Sequence, residues 1–333
     1  MSEADTYDPG VATTATLTLD DVLAARETIA GRLHRTPLFS SATLSRHTGG
    51  NVFLKAELFQ RTGSFKPRGV LNKLASLSDE EKRRGVISIS AGNHAQALAY
   101  ASALEGIDAL VVMWETASPM KIAAARGYGA AVDTEAPDIP AAFERLDHLA
   151  EETGRTLVHP YDDPLVMAGQ GTVGLEIVED LPDVDVVLVQ VGGGGLVSGI
   201  ATAVKALKPG ARVVAIEPEQ SRALHESLLA GKPVTVEARS LADGLNGPYA
   251  GANCVAVCSA LGVETALVSE DALKEGFRFM YTRAKLACEV AGAATVAALL
   301  SGQVPLDEGQ TCAAVVSGGN VAPETASAIL AER

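Results

Sequence analysis

Six short runs of β-branched and other apolar residues recur along the chain, at positions 52–55, 85–90, 109–113, 185–191, 212–216 and 312–316, with Ala-rich helical stretches between them. They constrain the fold more than any other feature. A strand with one wet face alternates apolar and polar residues. A run without that alternation is buried on both faces, and parallel strands joined by covering helices are the arrangement that buries both. The chain is therefore predicted to be α/β. Its 333 residues suffice for two compact domains or one large unit.

Other local signals are fewer. Thr18, Leu19, Asp20 and Asp21 form a capping-box pattern, and Val22, Ile29 and Leu33 continue it at near-helical spacing, so a first helix is predicted to end near residues 34–37. Residues 136–140 read as a loop before a helix that holds Phe143, Leu146 and Leu149. No fixed repeat and no low-complexity linker marks a domain boundary.

The formal charge of -14, with no Lys/Arg block, argues against a nucleic-acid partner and for a small-molecule function. No apolar run approaches the roughly 18 residues that would span a bilayer. Residues 1–18 are acidic and Thr/Ala-rich without the apolar stretch of a signal peptide, so a cytoplasmic protein with a frayed tail over 1–16 is expected. Cys254, Cys258, Cys288 and Cys312 form no CxxC pair, which fits reduced thiols rather than a zinc site or a disulfide framework.

Four turns could carry chemistry. Gly192, Gly193, Gly194 and Gly195 follow a buried strand and open a helical pattern. Backbone N–H groups and the positive end of the helix dipole converge there, as a phosphate requires. No G-x-G-x-x-G frame and no P-loop fits the run, so the phosphate belongs to something other than NAD or ATP. Lys66 precedes Pro67, a residue suited to the first helical turn, so its amine can point into a cleft. Desolvated there, it could form an imine. Ser90, Ala91, Gly92, Asn93 and His94 open another helix and make a cradle for a carboxylate. Ser317, Gly318, Gly319 and Asn320 again follow an apolar strand, and open α/β sheets bind ligands at the carboxyl ends of their strands.

Taken in order, S-F-K-x-R-G, S-A-G-N-H, G-G-G-G-L and S-G-G-N resemble the threonine/serine dehydratase and serine racemase group of fold-type-II pyridoxal 5′-phosphate enzymes, from Arg35 to Asn320. The resemblance implies a tryptophan synthase β-like fold of two α/β domains with mainly parallel sheets. Residues 1–70 with 158–333 would form the large domain and 71–157 a small mobile one, in a homodimer. It implies that Lys66 carries the cofactor as a Schiff base and then removes the Cα proton, with Phe65 packed by the ring. Gly192, Gly193, Gly194 and Gly195 would bind the phosphate, Asn93 the ring 3′-oxygen, and Ser317 would face the pyridine nitrogen. A hydroxyl there leaves the nitrogen less protonated than a carboxylate would, which suits β-elimination. The Ser90 to His94 loop would hold the substrate carboxylate. The β-hydroxyl would leave as water, protonated from the cofactor phosphate, and threonine would give 2-oxobutanoate and ammonia.

Departures within the group refine the expectation. Racemases carry a second serine at the position of Ala91, where it serves as the acid/base on the face opposite the lysine. Alanine cannot do so, and elimination is favoured over racemisation. His94 stands where sulfhydrylases and β-synthases typically have threonine. Residues 245–249 depart from the usual dehydratase sequence near the substrate side chain, which leaves serine, 3-hydroxyaspartate, phenylserine and a hydroxyectoine-pathway intermediate open as substrates. Serine racemase and a cofactor-holding binding protein without turnover are the alternatives. Glu217 matches an acidic ligand of a cation site in some members, but the second acidic position is Ala223, so no metal is expected. The chain ends soon after Asn320, and no C-terminal regulatory domain is expected.

Overall fold

The computed structural model describes residues 17–332; the expected tail over 1–16 lies outside them. Ten strands occur among the described residues: β1 (Leu38–Ser40), β2 (Asn51–Ala56), β3 (Val86–Ile89), β4 (Ala109–Trp114), β5 (Ala131–Ala136), β6 (Thr156–Leu157), β7 (Val186–Gln190), β8 (Arg212–Pro218), β9 (Glu264–Val268) and β10 (Thr311–Val316). They form two sheets, ordered β1-β2-β10-β7-β8-β9 and β5-β4-β3-β6. Every pairing is parallel except that of β1 with β2.

The six runs that lacked alternation are β2, β3, β4, β7, β8 and β10, and both of their faces are covered. Val186, Leu188, Ala314 and Val316 pack into one core with Val296 and Leu299, while Val187, Val189, Ala313 and Val315 pack into another with Val197, Ile200 and Val204. In the smaller sheet Val86, Val111 and Met113 face Ala95 and Leu98, and Ile87, Ile89 and Val112 face Leu146. The first helix, Leu19–Ile29, has the predicted capping box on Thr18. It stops earlier than expected, before Gly31 turns to φ +71 and Leu33 leaves the helix axis.

Close helix crossings fix where the turns sit. Helix Pro164–Asp180 runs against both Pro67–Ala75 and Gly195–Leu207, the helices that follow Lys66 and the glycine turn. A Cβ on Gly199 would overlap the Met167 carbonyl oxygen and lie 2.5 Å from the Gly171 nitrogen. Backbone cannot retreat as a flexible side chain can. Gly199→Ala is expected to lower stability by about 1–3 kcal/mol, read from the denaturant midpoint, whereas Gly210→Ala, where the added Cβ meets nothing, should change little.

Candidate active site

β2, β10 and β7 are neighbours in the larger sheet, and each of them runs at its carboxyl end into one of the candidate segments. β2 leads through two short 3-10 turns to Lys66, β10 into Ser317, and β7 into Gly192. The Ser90 to His94 loop leaves the carboxyl end of β3 in the smaller sheet. Backbone hydrogen bonds tie the segments together. Phe65 N donates to the Ser317 carbonyl at 3.1 Å and Gly319 N to the Gly63 carbonyl at 2.9 Å.

Lys66 is the N-cap of helix Pro67–Ala75, with Pro67 in the first turn. Its Nζ donates to the Pro160 carbonyl at 2.7 Å and lies 5.2 Å from the centre of the Phe65 ring. The side chain keeps some exposure to the cleft, but its amine lies among Cys254, Glu289, His94 and His159, and burial lowers its pKa to about 8.

The helix behind Lys66 is anchored by a buried charge network. Arg68 donates to Glu57 from Nε at 2.8 Å and to Glu176 at 2.7 Å, and Lys55 Nζ reaches Glu176 at 2.6 Å. Lys55, Glu57 and Arg68 are almost fully buried. Two cations balance two carboxylates, and the fork of the guanidinium spans both acids.

The glycine turn is crowded on three sides. A Cβ at Gly193 would collide with the Tyr161 ring, one at Gly194 would lie 2.7 Å from Cys254 Cβ, and one at Gly192 would lie 3.2 Å from the Gly244 carbonyl oxygen. Gly194 itself has φ +100. Close packing thus demands glycine here before any ligand is considered. Helix Gly195–Leu207 starts without a side-chain cap, as does Asn93–Glu105, so the first N–H groups of both helices lack intrahelical acceptors.

His94 is turned away from the cleft. Its Nε2 lies 3.0 Å from the Val158 carbonyl and 3.0 Å from Ser88 Oγ, which makes Nε2 the protonated nitrogen. Burial lowers its pKa to about 3, so the ring is neutral. It braces β3 against the segment after β6, and its Nδ1 is buried without a partner among the described residues. Ser90 Oγ is likewise engaged, accepting from Gly92 N at 3.1 Å.

Several site residues escaped the sequence reading. Tyr161 lies against the glycine turn, with its ring 5.8 Å from that of Tyr249. Asp162 accepts from the N–H groups of Ala252 and Asn253 at 3.0 Å each, and so caps helix Ala252–Ala260. Glu289 accepts from Asn93 Nδ2 at 2.7 Å. Only Glu289 left a signal, as a lone carboxylate in the apolar stretch Leu286, Ala287, Cys288, Val290, Ala291. Glu217 lies apart from this cluster: it accepts from Leu224 N and His225 N at 2.8 Å each, at the start of helix Ala223–Ala230, and burial raises its pKa to about 8.

A family model described as pyridoxal-phosphate dependent enzyme matches residues 29–318. The L-threonine ammonia-lyase of Thermotoga maritima is 43% identical over 92% of this chain and 76% of its own length. Among solved structures, the threonine deaminase of T.th. aligns with a TM-score of 0.86 at 43% identity, covering 92% of this chain and 99% of that one. Maize serine racemase aligns with a TM-score of 0.90 at 35% identity, covering 93% and 96%. The chain belongs to the pyridoxal-phosphate dependent enzyme family, and its cofactor is pyridoxal 5′-phosphate.

The geometry suits that group. An amine of lowered pKa can form an imine with an aldehyde, and two uncapped helix starts can take a phosphate and a carboxylate. Asn93 gives one of its two Nδ2 hydrogens to Glu289, and the other has no acceptor among the described residues. The buried Ser64 Oγ, two residues before Lys66, also lacks a partner there. No helix among the described residues is long and apolar enough to cross a membrane.

Proposed function

We propose that this chain is an ammonia-lyase that removes water and then ammonia from a small 2-amino-3-hydroxy acid, L-threonine or L-serine, to give a 2-oxo acid. The observation that carries the reading is the Lys66 amine, desolvated at the carboxyl edge of β2, β10 and β7 beside an uncapped glycine turn. The names of the similar proteins, L-threonine ammonia-lyase and threonine deaminase, support the same reaction.

Bound pyridoxal 5′-phosphate supplies an electron sink for the pair left on Cα. The protein does the rest. Lys66 would carry the cofactor through Nζ and, once released by substrate, hold the proton taken from Cα. The N–H groups of Gly192, Gly193, Gly194 and Gly195 would bind the phosphate, Asn93 the 3′-oxygen, and Ser317 the pyridine nitrogen. Backbone N–H groups of the Ser90 to His94 loop would hold the substrate carboxylate. Loss of the β-hydroxyl as water, followed by hydrolysis of the C–N bond, converts threonine to 2-oxobutanoate and ammonia.

The two sheets support a division into residues 1–70 with 158–333 and residues 71–157. The smaller part would close over substrate and exclude water. The ion pair between Lys121 and Asp243 already reaches across. Four buried free cysteines suit a reducing cytoplasm, and a homodimer is the assembly that the resemblance implies.

The lowered pKa of Lys66 has a measurable consequence. The neutral amine is the nucleophile, and it accumulates as pH rises through the pKa. With a pKa of about 8, roughly one amine in ten is neutral at pH 7, about three hundredfold more than for an ordinary lysine. Uptake of the aldehyde cofactor by cofactor-free protein is expected to accelerate with pH and level off just above 8. A rise that continues to the ordinary lysine range would contradict this placement.

The function itself is tested by incubating the holoenzyme with L-threonine and L-serine. Equal release of 2-oxo acid and ammonia supports elimination. Serine racemase is the second reading, favoured by the alignment with the maize enzyme. It predicts D-serine at a rate matching that of 2-oxo acid. Ala91 offers no proton on the face opposite Lys66, so D-serine is expected to remain a minor product.

A further inference from the structure

The side-chain amide of Asn93 is held at both ends. Its Oδ1 accepts from Asn320 Nδ2 at 2.8 Å, and its Nδ2 donates to Glu289 Oε1 at 2.7 Å. Asn320 Nδ2 also donates to the Thr62 carbonyl at 2.7 Å. The direction of this relay is determined throughout. A backbone carbonyl accepts only, so the Asn320 atom beside it is nitrogen; the Asn93 atom facing that nitrogen is then oxygen. The other end of Asn93 is nitrogen, and it meets a carboxylate. A flip of the Asn93 amide would set oxygen against carboxylate and nitrogen against nitrogen.

The surrounding backbone is shaped to let the relay close. Glu289 N donates to the Gly318 carbonyl at 3.1 Å. A Cβ on Gly318 would overlap Glu289 Oε1, and one on Gly63, at φ +74, would lie 2.6 Å from Asn320 Oδ1. Gly318 of the S-G-G-N turn and Gly63, just before Ser64, therefore make room for Glu289 and Asn320. Glu289 is 5% exposed, and a buried carboxyl is costly unless it is bonded. Burial, reinforced by Asp243, pushes its pKa up to about 7, while Asn93, Lys121 and Lys66 act in the opposite direction.

We propose that Glu289, backed by Asn320, is a positioning residue. It fixes the Asn93 amide so that the N–H not given to Glu289 is presented to the 3′-oxygen of pyridoxal 5′-phosphate. The inference rests on the reading above that places Asn93 at that oxygen. It adds a role for the last residue of the S-G-G-N turn and for a carboxylate outside every motif. Because the 3′-oxygen is conjugated with the ring, the state of this hydrogen bond is visible in the cofactor's absorbance as well as in its retention.

The test uses holoenzyme of wild type, Glu289→Ala, Glu289→Gln, Asn320→Ala and Asn93→Ala, read by absorbance maximum, rate of cofactor release on dialysis, and Tm. Glu289→Ala frees the amide and is expected to shift the absorbance maximum and to speed release by about tenfold. Glu289→Gln keeps an acceptor for Asn93 and is expected to restore both to within about twofold of wild type. If Glu289→Ala does not fold, Asn320→Ala removes the other clamp and should give the same two changes. A lowered Tm with wild-type absorbance and release in the folded clamp variants would overturn the proposal and leave Glu289 a packing residue. If Asn93→Ala also matched wild type, the placement of Asn93 would fall, and the inference with it. A wild-type protein without a bound cofactor band would instead overturn the functional reading.

Discussion

Lys66→Ala is expected to lose the covalent hold on pyridoxal 5′-phosphate and at least about 10³-fold in 2-oxo acid formation. The magnitude follows from two roles placed on one amine. Nζ would be both the attachment point and the base at Cα, and Ala91, which the resemblance sets on the opposite face, carries no group that could exchange that proton. Its surroundings do not easily replace it. His94 is committed to Val158 and Ser88 and stays neutral with a pKa of about 3, and burial raises the Cys254 thiol well above its ordinary value. The variant should fold, because the Lys66 side chain makes a single hydrogen bond, to the Pro160 carbonyl. The checks are steady-state release of 2-oxo acid and loss of the cofactor absorbance on gel filtration. Turnover near wild type would reject the assignment.

Arg68→Met carries the largest expected cost in stability, about 3–5 kcal/mol, measured as a shift of the denaturant midpoint. The change leaves two buried carboxylates, Glu57 and Glu176, with only Lys55, paired to Glu176, to offset their charge. Removing one partner of a buried ionic network costs far more than the network contributes, because the remaining charge can be neither hydrated nor paired. Arg68→Lys should recover only part of the loss, since an ammonium cannot make the fork that spans Nε to Glu57 and the terminal nitrogens to both acids. Arg68 lies two residues past Lys66, so partial unfolding of this helix should also appear as weaker retention of the cofactor. A midpoint within experimental error of wild type would show that the network is energetically idle.

The limits of what the sequence disclosed have a physical pattern. The six strands legible as apolar runs each lie inside a sheet, with a neighbour on both sides. The four that were not legible, β1, β5, β6 and β9, are the four edges. β5 shows why: it contains Asp133, Thr134 and Glu135, residues that an edge strand tolerates and that erase the apolar run. The insertion of the smaller sheet between β2 and β7 also left no mark in composition, and only the order of the motifs implied it. At the site, Lys66, Ser317 and the glycine turn were legible because each follows a strand and opens a turn. Tyr161 and Asp162, and the role of Asn320 within its motif, depend on contacts between segments far apart in the chain, which no local spacing encodes. His94 was legible as part of a loop, but the direction of its ring was not.

The buried amine of Lys66 is where this chain would hold its cofactor. Holoenzyme is reduced with borohydride and the modified peptide mapped by mass spectrometry. One pyridoxyl adduct is expected, on Lys66, and it should disappear in Lys66→Ala. An adduct on another lysine, or holoenzyme that releases all of its cofactor after reduction, would contradict this placement.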